Sequence, residues 1–182
     1  MYTKNMKIEY YHASKYGNGA MVAEEFKKQM TSKGATVNVH HVRDVRPKEI
    51  MPADLYIFSS PGRFGKPIGD MQHFLKKADL QRGTRYAVIV TELCPKPDSS
   101  IERIPSDGET GRCQRLIPIM NKILQEKGLV KVAEGKVFVT GIKGPLEQDW
   151  QKEVQSFASR IPTQNVFPTD GNTTNSSLIS IT

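Results

Sequence analysis

Ser14-Lys15-Tyr16-Gly17-Asn18-Gly19 lies where an apolar run, Met6–Tyr11, gives way to a helical pattern that starts near residue 18. A turn of this composition between a strand and a helix aims backbone N–H groups, a hydroxyl and the positive end of a helix dipole at one spot, which suits a phosphate. The same residues also serve simply to cap a helix and turn the chain, so the turn alone leaves both readings open. A second segment, Ser59-Ser60-Pro61-Gly62-Arg63-Phe64-Gly65-Lys66-Pro67, offers what a flat aromatic ligand requires: glycines for close backbone approach, an aromatic at Phe64 and a cation at Arg63. Its plain alternative is a tight turn before a helix that starts near Pro67.

The elements that must position these two segments are legible as alternating strands and helices. Five strand-like runs, Met6–Tyr11, Thr36–His41, Leu55–Ser59, Tyr86–Thr91 and Lys136–Thr140, are mostly apolar throughout, as a parallel sheet covered on both faces demands. Between them run helical stripes: Ala23, Phe26 and Met30, ended by Gly34; Ile68, Met71, Phe74, Leu75 and Ala78; Met120, Ile123 and Leu124, ended by Gly128; and Leu146, Trp150, Val154, Phe157 and Ile161. Pro145 suits the first turn of the last helix, Pro162 ends it, and Trp150 reads as core. The pattern predicts an α/β fold, a right-handed, doubly wound three-layer sandwich on a five-stranded parallel sheet of order 2-1-3-4-5. Ligands of such sheets bind beyond the carboxyl ends of the strands, at the switch point between strands 1 and 3. Both segments leave the sheet there, and together they fit a phosphorylated planar ring system.

At these residues the chain resembles the flavodoxin family. The family's phosphate signature is an aromatic, any residue, Ser or Thr, two more, a small residue, one more, Thr, and Ala four positions on. His12, Ala13, Ser14, Lys15-Tyr16, Gly17, Asn18, Gly19 and Ala23 stand in register with it, with His12 in place of the aromatic and Gly19 in place of the threonine. The loop Arg63-Phe64-Gly65, leading into Gly69-Asp70-Met71-Gln72-His73-Phe74-Leu75, is similar to that of the flavodoxin-fold NAD(P)H:quinone reductases, which also carry Ser-x-Tyr-Gly in the first loop. The resemblance covers roughly residues 6 to 160. It implies a flavodoxin-like FMN site. The phosphate would lie on Ser14, Lys15, Tyr16, Gly17, Asn18 and Gly19. The ring would lie between Ser60, Pro61, Gly62, Arg63, Phe64 and Gly65 on one side and Glu92, Leu93 and Cys94 on the other, with a carbonyl of the Pro61–Gly62 turn meeting flavin N5. After the fourth strand the relatives present a Gly-rich loop or an aromatic that closes on the flavin, whereas the stretch from Thr91 to Gly111 opens without either. That stretch is expected to edge the site.

The implied function is electron carriage between redox partners. An FMN-dependent NAD(P)H:quinone-type reductase is the first alternative, and a flavin-free interaction module, suggested by Gly19, the second. The remaining features add limits. At 182 residues the chain is expected to form one domain over 1–162, with a polar, disordered tail over 163–182. No apolar segment suggests a secretory signal or a membrane span, so a cytoplasmic protein is expected. Cys94 and Cys113 read as reduced thiols, His12 as a packed or hydrogen-bonded histidine, and His40-His41 lacks metal-ligand spacing; no catalytic or metal-binding residue is assigned. The net charge of +7 is spread over separate elements without a nucleic-acid module. It points instead to an acidic redox partner protein, with a small-molecule quinone and NAD(P)H as the partners of the reductase alternative.

Overall fold

The computed structural model describes residues 5–93 and 115–163. Their elements, in chain order, are β1 (Lys7–His12), α1 (Asn18–Ser32), β2 (Thr36–His41), β3 (Leu55–Arg63), β4 (Lys66–Pro67), α2 (Gly69–Lys77), β5 (Arg85–Leu93), α3 (Leu116–Glu126), β6 (Val130–Val139) and α4 (Trp150–Ser159). The five long strands are parallel and stand in the order β2-β1-β3-β5-β6, the predicted 2-1-3-4-5 arrangement. Successive strand residues alternate between two cores. Ile8, Tyr10, Ile57, Ile89 and Val137 pack with Phe26 and Phe157 on the α1 and α4 side. Tyr11, Phe58 and Val88 pack with Met71, Phe74, Met120 and Leu124 on the α2 and α3 side. Each fully buried side chain of this size contributes about 1.5–3 kcal/mol, so a sheet buried on both faces holds most of the stability.

Three differences from the sequence reading have physical causes. First, β3 runs past Ser59 to Arg63 and turns back into β4, adding a short antiparallel sixth strand. Phe64 and Gly65 both have positive φ, 51° and 72°, the backbone of a two-residue hairpin turn. Second, β6 begins at Val130 rather than near Lys136. It is an edge strand whose Lys131, Glu134 and Lys136 break the apolar run that marks the inner strands. Third, Pro145 does not open the last helix, which starts at Trp150. Leu146 instead bridges back to Val139, with Thr140 N–H donating to Pro145 O at 2.9 Å and Glu147 N–H to Phe138 O at 2.9 Å. The apolar spacing of Leu146 comes from that bridge. Trp150 packs partly buried against the α1-side core, as read.

The connection from β2 to β3, residues 42–54, contains no helix; Val42, Val45, Ile50 and Ala53 cover that part of the sheet. Among the described residues no helix is long and apolar enough to cross a membrane. Nearly all of the segment read as a tail, from residue 164 on, lies outside the described residues.

Gly135 marks the tightest place in the β6 and α4 contact, since a Cβ there would sit 2.9 Å from Phe157 Cδ2, a ring with no solvent exposure. Gly135→Ala should therefore cost roughly 1–3 kcal/mol in urea unfolding. Gly69→Ala, at a position with open space around it, should be near neutral.

Candidate functional site

Strand register brings the two sequence-identified loops together. His12 pairs with Ser59, Ser60 with Val90 and Pro61 with Thr91, and Ala13 N–H donates to Ser59 O at 3.0 Å. The chain after β1, the β3–β4 hairpin and the end of β5 thus share one end of the sheet, at the switch point between β1 and β3.

In the first loop Ser14 is fixed on several sides. Its Oγ accepts a hydrogen bond from Gly17 N–H at 3.0 Å, which leaves the hydroxyl proton free to donate. Its N–H donates to His12 Nδ1 at 3.3 Å, and its carbonyl accepts from His41 Nε2 at 3.0 Å. Gly17 takes the left-handed conformation, φ 89°, and stands at the N-cap of α1. That helix start carries neither a side-chain cap nor an acidic residue in its first turn. Its leading N–H groups have no acceptor within the helix, and its dipole has no local counter-charge. The cradle therefore fits an anion. Lys15 and Tyr16 are exposed, with Lys15 Nζ 5.4 Å from the Tyr16 ring centroid. The Asn18 amide is directed at Lys143 O, 3.2 Å away, so its side chain ties the helix start to the turn after β6. Gly19 is buried, and a Cβ there would lie 3.3 Å from Ser14 Cβ. The threonine of the family signature is missing where the helix start is drawn directly against Ser14.

In the hairpin, Ser60 is a structural residue: buried, it donates to Pro61 O at 3.0 Å and accepts from Ile68 N–H at 3.2 Å. Gly62 leaves room for Leu116, whose methyls would lie 3.2 Å from a Cβ there. Gly65 O accepts from Arg115 N–H at 2.7 Å, tying the tip to the start of α3. Phe64 stands at the tip with 92% of its surface exposed and Arg63 5.6 Å from its ring centroid.

The third group is divided. Leu93 is exposed at the end of β5, while Cys94 lies outside the described residues, as does most of the long segment expected to edge the site. Glu92 is 4% exposed and lines a trough of about 820 Å³ between α3 and β6. One carboxylate oxygen is 3.5 Å from Lys136 Nζ, and the other has no hydrogen-bond partner among the described residues. Burial pushes its pKa up, against a smaller opposing pull from Lys136.

One participant had a weak sequence signal: His41 enters the site only because β1 and β2 pair in register at His12 and His41. His12 is buried, and burial together with neighbouring His41 lowers its pKa from 6.5 to about 4. Below pH 6.5 the unfolded chain takes up a proton that the folded imidazole refuses, so this stability is present above pH 6.5 and is lost as pH falls toward 4. His12→Phe should flatten the decline of the urea midpoint across that window; a slope identical to wild type would place the titrating group elsewhere.

The flavodoxin family model matches residues 11–91, a span that begins at the last two residues of β1 and holds both loops and β5 as far as Thr91. No curated protein sequence matches the chain. Among solved structures, the rubredoxin oxygen:oxidoreductase of Desulfovibrio gigas superposes with a TM-score of 0.61 at 13% identity, covering 85% of this chain. This chain spans only 35% of that protein. Flavodoxin 1 of Bacillus cereus gives 0.59 at 19% identity, covering 85% of this chain and 95% of its own. Flavodoxin 2 of the same organism gives 0.62 at 18% identity, with 85% and 96% covered. These likenesses show a shared fold. With the signature in register over the matched segment and that fold around it, residues 11–91 are similar to the flavodoxin family, a family whose cofactor is FMN, within a flavodoxin-like fold.

Proposed function

We propose that this chain binds FMN at the switch point and carries electrons between redox partners. The observation that carries the reading is the uncapped start of α1, closed by the Ser14–Gly17 turn and set at the same sheet end as an exposed aromatic hairpin tip. The Ser14 hydroxyl and the leading N–H groups of α1 would hold the phosphate, with Lys15 adding charge from solvent. Tyr16 and Phe64 offer faces for a ring, and Gly62 keeps backbone accessible beside them. FMN, when bound, supplies one- and two-electron chemistry; the protein binds, orients and sets the surrounding charge.

Phe64 supports this reading through its backbone. A bulky residue in the left-handed region is a true outlier, and such strain costs on the order of 1–3 kcal/mol. Nothing in the packing of the hairpin requires a large aromatic there, because the ring is 92% exposed. A planar ligand stacking on it does. The exposed cations Lys15, Arg63 and Lys66 on the two loops favour an acidic partner, with association that slows as salt rises. The Arg63-Phe64-Gly65 tip, shared in sequence with the quinone reductases, supports a second reading as an FMN-dependent NAD(P)H:quinone reductase. Steady NADPH oxidation in the presence of a quinone would favour it.

Phe64→Gly separates binding from folding. Relief of roughly 1–2 kcal/mol of left-handed strain offsets glycine's entropy cost of about 0.5–1 kcal/mol, so stability should hold or rise. FMN affinity should fall by about 1 kcal/mol or somewhat more in a fluorescence-quenching titration. Ser14→Asp should weaken FMN further, through like charge beside the phosphate. Retention of wild-type affinity by both variants would overturn the site. For the charge argument, Arg63→Glu should make the reduction potential of bound flavin more negative, most visibly at low ionic strength.

A further inference from the structure

Ser14 is held by two imidazoles, and the hydrogen bonds fix which nitrogen of each does the work. His12 and His41 face each other across the parallel β1–β2 pair, their ring centroids 5.0 Å apart and their planes at 82°. By strand alternation both lie on the α1 side of the sheet, with Tyr10 and Val39, beneath the loop that leads into α1. His12 Nδ1 accepts the Ser14 N–H, so that nitrogen carries no proton. On His41, Nδ1 accepts the Arg43 N–H at 3.1 Å, which leaves Nε2 as the protonated nitrogen donating to Ser14 O. The backbone donor and the backbone acceptor of one residue are thereby both committed to side chains from adjacent strands. Neither is available to a ligand. What Ser14 presents to the outside is its hydroxyl.

We propose that His12 and His41 are the positioning pair of the phosphate loop: His12 Nδ1 and His41 Nε2–H lock the peptide groups of Ser14, aiming its hydroxyl where the loop receives a phosphate. The role of the loop rests on the FMN reading above; the locking of Ser14 does not. The inference also accounts for the histidine at position 12, where the family signature has an aromatic. An aromatic ring could fill the space but could not accept from Ser14 N–H. The group around the pair is completed by His40 and Asp44, whose charges also act on His12, and by Arg43, whose N–H sets the His41 tautomer.

The two nitrogens can be replaced separately, because the Asn carboxamide oxygen falls near Nδ1 and the Gln amide nitrogen near Nε2. His12→Asn should therefore retain the contact and His12→Gln lose it, whereas His41→Gln should retain it and His41→Asn lose it. The first readout is amide hydrogen exchange of Ser14 and Gly17 in the protein without flavin, with Ile57 and Val88 as internal controls for the fold. Loss of one such hydrogen bond should speed Ser14 exchange about fivefold to tenfold. The second readout is the FMN dissociation constant, expected to rise by a similar factor in the two losing variants only. The crossed pattern in both readouts supports the proposal. Uniform exchange across the four variants, or the reverse crossing, overturns it, as does a crossed exchange pattern with FMN affinity equal in all four. Should the wild-type protein bind no FMN, the FMN reading fails, and the exchange pattern alone decides whether the histidines lock Ser14.

Discussion

Parallel pairing of β1 along both of its edges is the constraint from which the rest of the site follows. Hydrogen-bonded to β2 on one side and β3 on the other, β1 cannot slip by a residue without turning Tyr10 and Tyr11 into the wrong cores. Its end is thus fixed at His12, opposite His41 and Ser59. The chain has to leave the sheet there, between two strands that continue in opposite directions around the fold, and the backbone groups of the next two residues are met by what those neighbours supply: Ser59 O for Ala13, imidazoles for Ser14.

Charge is arranged differently on the rim of the site and in the adjoining trough. On the rim, Lys15, Arg63 and Lys66 stand in solvent, where each contributes a weak, salt-sensitive field. In the trough, Glu92 is buried, with Lys136 Nζ 3.5 Å from one carboxylate oxygen, and burial disfavours its ionised form more than that cation favours it.

Much of this was readable in the sequence, because the signals were local. Apolar runs give the inner strands, Gly34 ends α1 by its left-handed backbone, and the residue types of Ser14 to Gly19 mark a strand-to-helix turn. What was hidden depended on pairing. The β4 hairpin was hidden because nothing in Phe64 announces positive φ; bulky residues avoid it. The true start of β6 was masked by the lysines and glutamate of an edge strand, and Leu146 imitated a helical stripe while making a bridge to Val139. His41 carried no signal until register set it opposite His12. The site at Ser14 was therefore legible as a loop, and its support was not.

The bond from Asn18 to Lys143 spans 125 residues. It sits where a Cβ on Gly144 would come within 2.6 Å of the Asn18 amide, so the helix start and the turn after β6 fit only when both are in place. Contacts this distant in sequence bring a large loop-closure cost and form after local ones. During synthesis the first half of the cradle emerges long before its clasp. A chain interrupted ahead of residue 140 would hold every residue of the turn from Ser14 to Gly19 and still leave the α1 start without its far tether, making that turn one of the last parts of the molecule to mature.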